Sequence, residues 1–508
     1  MITRYFKRFV IVLSLLIIQG FQYVYCQIEN KEFKQLIGFY NSDTTVHYNS
    51  QATCIVKSGA GTYEIAGDIQ GNIYTFTSNW SGDKSNFRTY KLTTVPTPNG
   101  WIITQIRDMK KYDTSYVLVG DGERGSGMGI VVIIANSNGS FNKGKFIYKS
   151  DCDMYGTSVI RTTDGNFLIG GYYWYTAQSE YRGFVVKLSS SLGLVWKKDY
   201  KMNTNYKRNK ILLVYERYQS DYMLIGESSI NLGDSPFLFI INVNPLSGNI
   251  TTPKLAYNIG TKITPSGIVK DIFGGYTITS SVRNGGPEKM HIFRIDSVCS
   301  KYFSFNPQSS TIGSSVDYDG NKSFTQLTDK TYLLTGLSSS MNENGQINAS
   351  LAWIDTVPHL KKGIIYGLKN NSLIKLSGLS GSFDIDCPKD SIGEAMLAGY
   401  LSGESFLIKP GLGINSLDKG DSQYFWCSQL KPTFSVSCMP INSQSISPTT
   451  SNPTVNTPES LIATQFSIIL GSCNMCNNDC IDEYGNIKPN EFKTNNSCKC
   501  KDLIKKYP

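Results

Sequence analysis

The chain has 508 residues, 40% of them hydrophobic and 12% aromatic, with 49 basic against 40 acidic side chains and a net charge of +9. This is ordinary globular composition. The basic excess is dispersed along the chain rather than clustered, so it acts mainly on solubility and argues against a nucleic-acid partner.

Residues 1–26 carry the pattern of a secretory signal peptide: Arg4, Lys7 and Arg8, an apolar run from Phe9 to Ile18, and Val24 and Cys26 at the minus-three and minus-one positions. The alternative is an uncleaved anchor, but the apolar run is interrupted by Gln19-Gly20 and falls short of the roughly 20 residues that span a bilayer. Later stretches offer no transmembrane segment, and the expected localisation is secreted, with a net charge of +6 once those three basic residues leave.

From residue 27 to 438 the chain is organised by a five-residue pattern of aromatic, any residue, Ile or Leu, any residue, Gly. It opens at Tyr63, Tyr116, Phe167, Tyr222, Tyr276 and Tyr332, with a degenerate copy at Ala395, in steps of 53, 51, 55, 54, 56 and 63 residues. The fifth copy ends in Ser280 and the seventh lacks its aromatic. A fixed period in this range marks repeated supersecondary units. The third unit reads as four strands: Ser158 to Thr162, an Asp164-Gly165 turn, Phe167 to Tyr172, Phe184 to Leu188, and Val195 to Tyr200. Asp-Gly between apolar runs predicts a tight reversal, because glycine reaches positive φ without steric cost. No 3.6-residue stripe intervenes. The fold expected is all-β, a seven-bladed β-propeller of four-stranded antiparallel blades, with a small disulfide-rich C-terminal segment. Closing a ring removes the exposed apolar ends that an open stack would need to cap. The last blade takes its fourth strand either from Tyr424-Phe425-Trp426 or from Phe33 to Tyr40.

The third unit carries Thr163-Asp164-Gly165-Asn166-Phe167-Leu168-Ile169-Gly170-Gly171, then Val186-Lys187-Leu188, Gly193 and Trp196-Lys197-Lys198-Asp199-Tyr200. In these residues it resembles the secreted β-propeller repeats of the T-x-D-G-G-Y/F type. That resemblance implies the fold and leaves activity open, since such repeats serve many functions.

Residues 439–461 are rich in Ser, Thr, Pro and Asn and read as a disordered linker, too poor in large apolar groups to fold. Residues 462–508 form a cysteine-rich tail. Cys473, Cys476, Cys480, Cys498 and Cys500 suit a disulfide-stapled segment or, alternatively, a four-thiolate zinc site; an oxidising compartment favours disulfides. Cys427 and Cys438 are spaced to close a small loop. Without Cys26 eleven cysteines remain, an odd number that suits disulfide-linked self-association. Sequons at Asn79, Asn138, Asn249, Asn321, Asn348, Asn370 and Asn495 suit a secreted glycoprotein.

Catalytic motifs are missing. The three histidines, His47, His291 and His359, lie in different units. The glycine-rich stretch from Gly120 to Gly129 lacks a Lys-Ser/Thr ending and leads into a strand, so it is a hairpin loop and not a phosphate cradle. Asp317-Tyr318-Asp319-Gly320 and Asp384-Ile385-Asp386 hint at calcium on loops but complete no EF-hand; no cofactor and no metal are expected. Long connections between strands two and three, and between blades, open on one face of the disc. There Tyr172, Tyr173, Trp174 and Tyr175 are the candidate ligand-binding residues, the alternative being that Tyr172 and Trp174 pack between blades. The expected function is binding or adhesion to an extracellular protein or glycan through that face. The alternatives are a polysaccharide hydrolase or lyase using carboxylates at the axial channel, and a structural coat or matrix component.

Overall fold

The structure, a computed structural model, describes residues 33–40, 47–48 and 50–305, apart from short breaks at 60, 70, 80–82, 96–102, 125–126, 150–151, 218–220, 252–253, 259–261, 271–273, 284–288 and 297–300. Beyond these it describes residues 324–326, 331–338 and the later strands named below.

The architecture is an all-β propeller of four-stranded antiparallel blades. The first blade comprises Ser50–Gly59, Thr62–Ile69, Asn72–Asn79 and Lys84–Val95. The second comprises Ile103–Tyr112, Ser115–Arg124, Gly127–Asn136 and Phe141–Ile147. In the third, Cys152–Arg161, Phe167–Tyr175, Glu180–Leu188 and Leu194–Lys201 pair in order. The fourth runs Arg208–Arg217, Asp221–Ser229, Phe237–Val243 and Lys254–Asn258, and the fifth Lys262–Lys270, Tyr276–Arg283, Lys289–Ile295 and Lys301–Phe305. First strands of successive blades lie against one another, which places them around the axis.

Five blades with described cores stand where seven were expected. The repeated pattern marks only the second strand of a unit and does not by itself specify the packed core around it. Past Phe305 the chain forms two further sheets, described as backbone pairing. One is Phe324–Gln326, Tyr332–Ser338, Asn348–Ile354 and Leu360–Tyr366. The other is Gly381–Asp386, Met396–Leu401 and Glu404–Lys409, on which Phe33–Tyr40 adds the next strand. Strands of this second sheet lie beside Ser50–Gly59 of the first blade. Tyr424-Phe425-Trp426 lies outside the described residues.

The C-terminal region contributes strands to outer edges. Asn442–Ile446 pairs with the fourth blade's last strand and Thr449–Ser451 with the third's. Glu459–Gln465 pairs with the last strands of both the first and second blades, joining them in one nine-stranded sheet. Ile469–Asn474 pairs with Phe33–Tyr40.

The repeated residues are those that hold blade to blade. Every aromatic that opens the pattern from Tyr63 to Tyr332 is at most 3% exposed. Phe167 packs edge-on against Tyr112 of the preceding blade at 5.2 Å, and Tyr276 likewise against Tyr215 at 5.5 Å. The closing glycine has a different cause. Opposite it, the first strand carries a β-bulge in all five blades, at Thr53, Arg107, Thr157, Leu212 and Ser266. The bulge presses a backbone carbonyl onto the second strand. A Cβ at Gly67, Gly120, Gly171 or Gly226 would sit 1.9 to 2.1 Å from that oxygen. In these four blades only a residue without a side chain fits; the fifth blade carries Ser280 at the corresponding place.

Candidate functional site

The residue after each closing glycine lies at the end of strand two that leads into the connection to strand three, and in no described blade is it apolar: Asp68, Asp121, Tyr172, Glu227 and Ser281. Across from them on the first strands stand Gln51, Gln105, Tyr155, Lys210 and Thr264. First strands are innermost, so these pairs form an arc of polar side chains around the axis, on the face where strands two and three are joined.

Asp68 begins the arc. Gln51 donates to both of its carboxylate oxygens, at 3.1 and 2.9 Å. The side chain is half-buried, and burial pushes its carboxyl up to about 7 against the opposing pull of Gln51 and Arg107, with the Asp121 carboxylate adding to the rise. In the second blade the bulge residue Arg107 donates through Nε to Asp121 Oδ1 at 2.8 Å. Asp153 of the third blade accepts from the backbone N–H of Met128 at 3.1 Å. Two neighbouring blades therefore hold a carboxyl raised to about 7 and a carboxylate paired with an arginine, and two carboxyls in unlike surroundings are the usual arrangement for acid–base chemistry.

An aromatic group continues the arc. Tyr155 stacks on Tyr172 at 5.0 Å, Tyr172 meets Tyr181 edge-on at 5.7 Å, and Trp174 lies 4.8 Å from Tyr181. The Lys210 ammonium sits over the Tyr172 and Tyr181 rings at 4.2 and 4.9 Å. Burial, with Asp153 and Asp121 nearby, raises the Tyr155 hydroxyl to about 12, so it stays protonated. Further round, Glu227 is fully buried and accepts from Arg208, and from Thr264 at 3.1 Å.

The structure separates the four aromatic candidates. Tyr172 and Tyr173 are buried, at 5% and 1% exposure, and Trp174 and Tyr175 are half-buried at the rim before the short turn Thr176–Gln178. Tyr173 donates to Asp199 at 2.6 Å and is part of the core. The carboxylates were missed because the pattern was read as ending on its glycine; the polar residue one place further on was the available signal.

Asn138 and Asn249 are exposed on turns, and Asn79 is half-buried, its amide donating to Asp83 at 3.0 Å. Asn348 begins a strand, and Asn321, Asn370 and Asn495 lie outside the described residues. Cys54 and Cys152 are buried thiols, and Cys473 lies in Ile469–Asn474. Cys427, Cys438, Cys476, Cys480, Cys498 and Cys500 lie outside the described residues. Asp384 and Asp386, expected on a loop, are in the strand Gly381–Asp386, while Asp317 and Asp319 are not described. Among the described residues no group of three His, Cys, Asp or Glu side chains is arranged to hold a metal, and no helix is long and apolar enough to cross a membrane.

No protein-family model and no curated protein matches the chain. Solved structures do. An endo-arabinase from Bacteroides thetaiotaomicron aligns at 13% identity over 50% of this chain and 96% of its own, with a TM-score of 0.31. A GH43 β-xylosidase/α-arabinofuranosidase from a compost microbial metagenome aligns at 11% identity over 51% and 95%, with a TM-score of 0.29. A mannose phosphorylase from Leishmania mexicana aligns at 11% identity over 52% and 88%, also at 0.29. The likeness is one of fold alone.

Proposed function

We infer that this is an exported propeller that acts on carbohydrate at the polar arc, cleaving a glycosidic bond with Asp68 as the proton donor. The observation that carries the reading is the half-buried Asp68 carboxyl, raised to about 7 beside the arginine-held carboxylate of Asp121. Glycosidic cleavage needs one carboxyl that keeps its proton near neutrality and one that has lost it. Trp174 and Tyr181 on the next blade offer ring faces on which sugars stack. Export is supported by the leader-like residues 1–26 and by the two exposed sequons at Asn138 and Asn249.

The test is release of reducing ends from a panel of polysaccharides by the full-length secreted protein. Asp68→Asn is expected to lower the rate by about 10²–10⁴-fold, the usual share of general acid catalysis, while leaving glycan binding in place. Full activity in that variant would remove Asp68 from the chemistry. The half-exposed aromatic rim also favours a second reading, a glycan-binding module without catalysis. It becomes the better one if the panel is bound and none of it is cut.

A further inference from the structure

Asp68 and Asp121 differ in what holds them: a guanidinium for Asp121, an amide for Asp68. Gln51 Nε2 donates to both Asp68 oxygens, at 3.1 and 2.9 Å, from the cross-strand position on the innermost strand. An amide is neutral at every working pH and both donates and accepts. It therefore grips a carboxyl without fixing its charge, whereas a guanidinium or ammonium favours the ionised form. Of the charged groups, Arg107 and Asp121 of the second blade act on Asp68, with opposite sign. The backbone under this contact is tied down by the repeat itself. The oxygen that a Cβ at Gly67 would meet at 2.1 Å is the carbonyl of Gln51, beside the bulge at Thr53. Gln105, Tyr155 and Lys210 place their carbonyls over Gly120, Gly171 and Gly226 in the same way. In these four blades the repeated glycine thus sets where the arc side chain of the first strand begins.

We propose that Gln51 is the positioning residue of the proton donor, its amide fixing both oxygens of Asp68 and then holding the anion that proton transfer leaves. This deepens the carbohydrate reading above and rests on it. As the glycosidic C–O bond breaks, its electron pair goes to the departing oxygen, which takes the Asp68 proton. The negative charge left on Asp68 is met by the two contacts from Gln51 Nε2, and such bonds strengthen as their acceptor becomes charged.

The experiment is the pH profile of reducing-end release by the full-length protein and by its Gln51→Met and Gln51→Lys variants. Gln51→Met keeps the length of the side chain and removes both bonds. Its rate is expected to fall by about 10–100-fold, as for a misplaced catalytic group. The alkaline limit of its profile should move to higher pH, because bonds that favour the charged form are gone. Gln51→Lys brings a cation to the same place and should move that limit to lower pH. A general loosening of the blade would move both variants alike. The Asp68 carboxyl is also followed without turnover, as the infrared carboxyl band present in the wild-type protein and absent from Asp68→Asn; its midpoint should shift in the same two directions. Limits and midpoints that stay in place, or that move the same way in both variants, overturn the proposal, and cleavage that still depends on Asp68 then leaves the carbohydrate reading standing. A protein that cuts nothing in the panel, or cuts it equally well as Asp68→Asn, overturns both.

Discussion

At the scale of single residues, the repeated glycine shows how a sequence pattern arises from one contact. In the third blade the bulge at Thr157 turns the hydroxyl back to accepting carbonyls, Gly170 O at 3.1 Å and Ile211 O at 2.9 Å, tying two blades together. The same bulge brings Tyr155 O over Gly171, where a Cβ would stand 2.1 Å from the oxygen and 2.6 Å from the Phe184 ring. Backbone oxygen cannot swing aside as a side-chain terminus can. Gly171→Ala is therefore expected to cost at least about 2 kcal/mol, read as a lower denaturant midpoint. Gly165 has φ of +80° but only Arg161, at 3.9 Å, near its Cβ position. Its replacement by alanine strains a turn without a clash and should cost less. If Gly171→Ala proved as mild as Gly165→Ala, close carbonyl approach would not be what the pattern encodes.

At the scale of elements, the blades are joined by side chains reaching from the last two strands of one unit into a turn of the next. Tyr90 donates to Gly139 O at 2.8 Å, and Tyr200 donates to Gly248 O at 2.7 Å. Lys187 donates to Asp164 at 2.6 Å and to Pro245 O at 3.0 Å, and Trp196 Nε1 donates to the same Pro245 oxygen at 3.0 Å. Burial opposes ionisation of Asp164, but the bonds from Lys187, Thr162 and the Asn166 N–H bring it down to about 2. Tyr200→Phe should remove about 1–3 kcal/mol by leaving the buried Gly248 carbonyl without its donor. Tyr90→Phe should cost a similar amount, and the two should add, because they act at different blade junctions. A double variant no less stable than either single one would mean that the junctions are not independent. These clasps explain why the fold was legible from the sequence: Asp164, Lys187, Trp196 and Tyr200 are among the residues by which the third unit resembles a known repeat; Lys187, Trp196 and Tyr200 each hold a blade junction, and Asp164 holds Lys187 from within its own blade. The site was harder to read. Asp68 gains its meaning from Gln51 and from Asp121, 53 residues away, and the register that joins them depends on bulges that periodicity does not reveal. Against the seven blades expected, five have described cores: past them the pattern persists at Tyr332 and Ala395 with its steps stretched to 56 and 63 residues, in sheets of which the strand pairing is described.

At the scale of the whole molecule, the buried Glu64 and Asp199 and the half-buried Asp68 set how stability responds to pH between about 4 and 8. Burial raises Glu64 to about 8, Asp68 to about 7 and Asp199 to about 6. Glu64 is 1% exposed and accepts from Thr77 Oγ1 through Oε2 at 2.9 Å. In the unfolded chain all three ionise near pH 4, so between about pH 4 and 8 the folded protein holds more protons than the unfolded one. Their contribution to stability must then fall as pH rises through that window and level off above it. Their contribution is complete only at the acid end, the reverse of the usual salt-bridged carboxylate. Asp164 is of the usual kind, but with a folded value of about 2 it acts below this window. The melting temperature is therefore expected to be higher at pH 5 than at pH 8. Glu64→Gln, a neutral side chain of the same shape, should flatten the slope by removing its steepest alkaline portion. A melting temperature that climbs from pH 5 to 8, or an unchanged slope in Glu64→Gln, would show that these carboxyls are ionised in the fold. Asp68 links that outcome to function, because a proton lost from it near pH 7 is the proton that cleavage requires; activity and stability should both decline on the alkaline side, and Asp68→Asn should uncouple them by abolishing the first while easing the second.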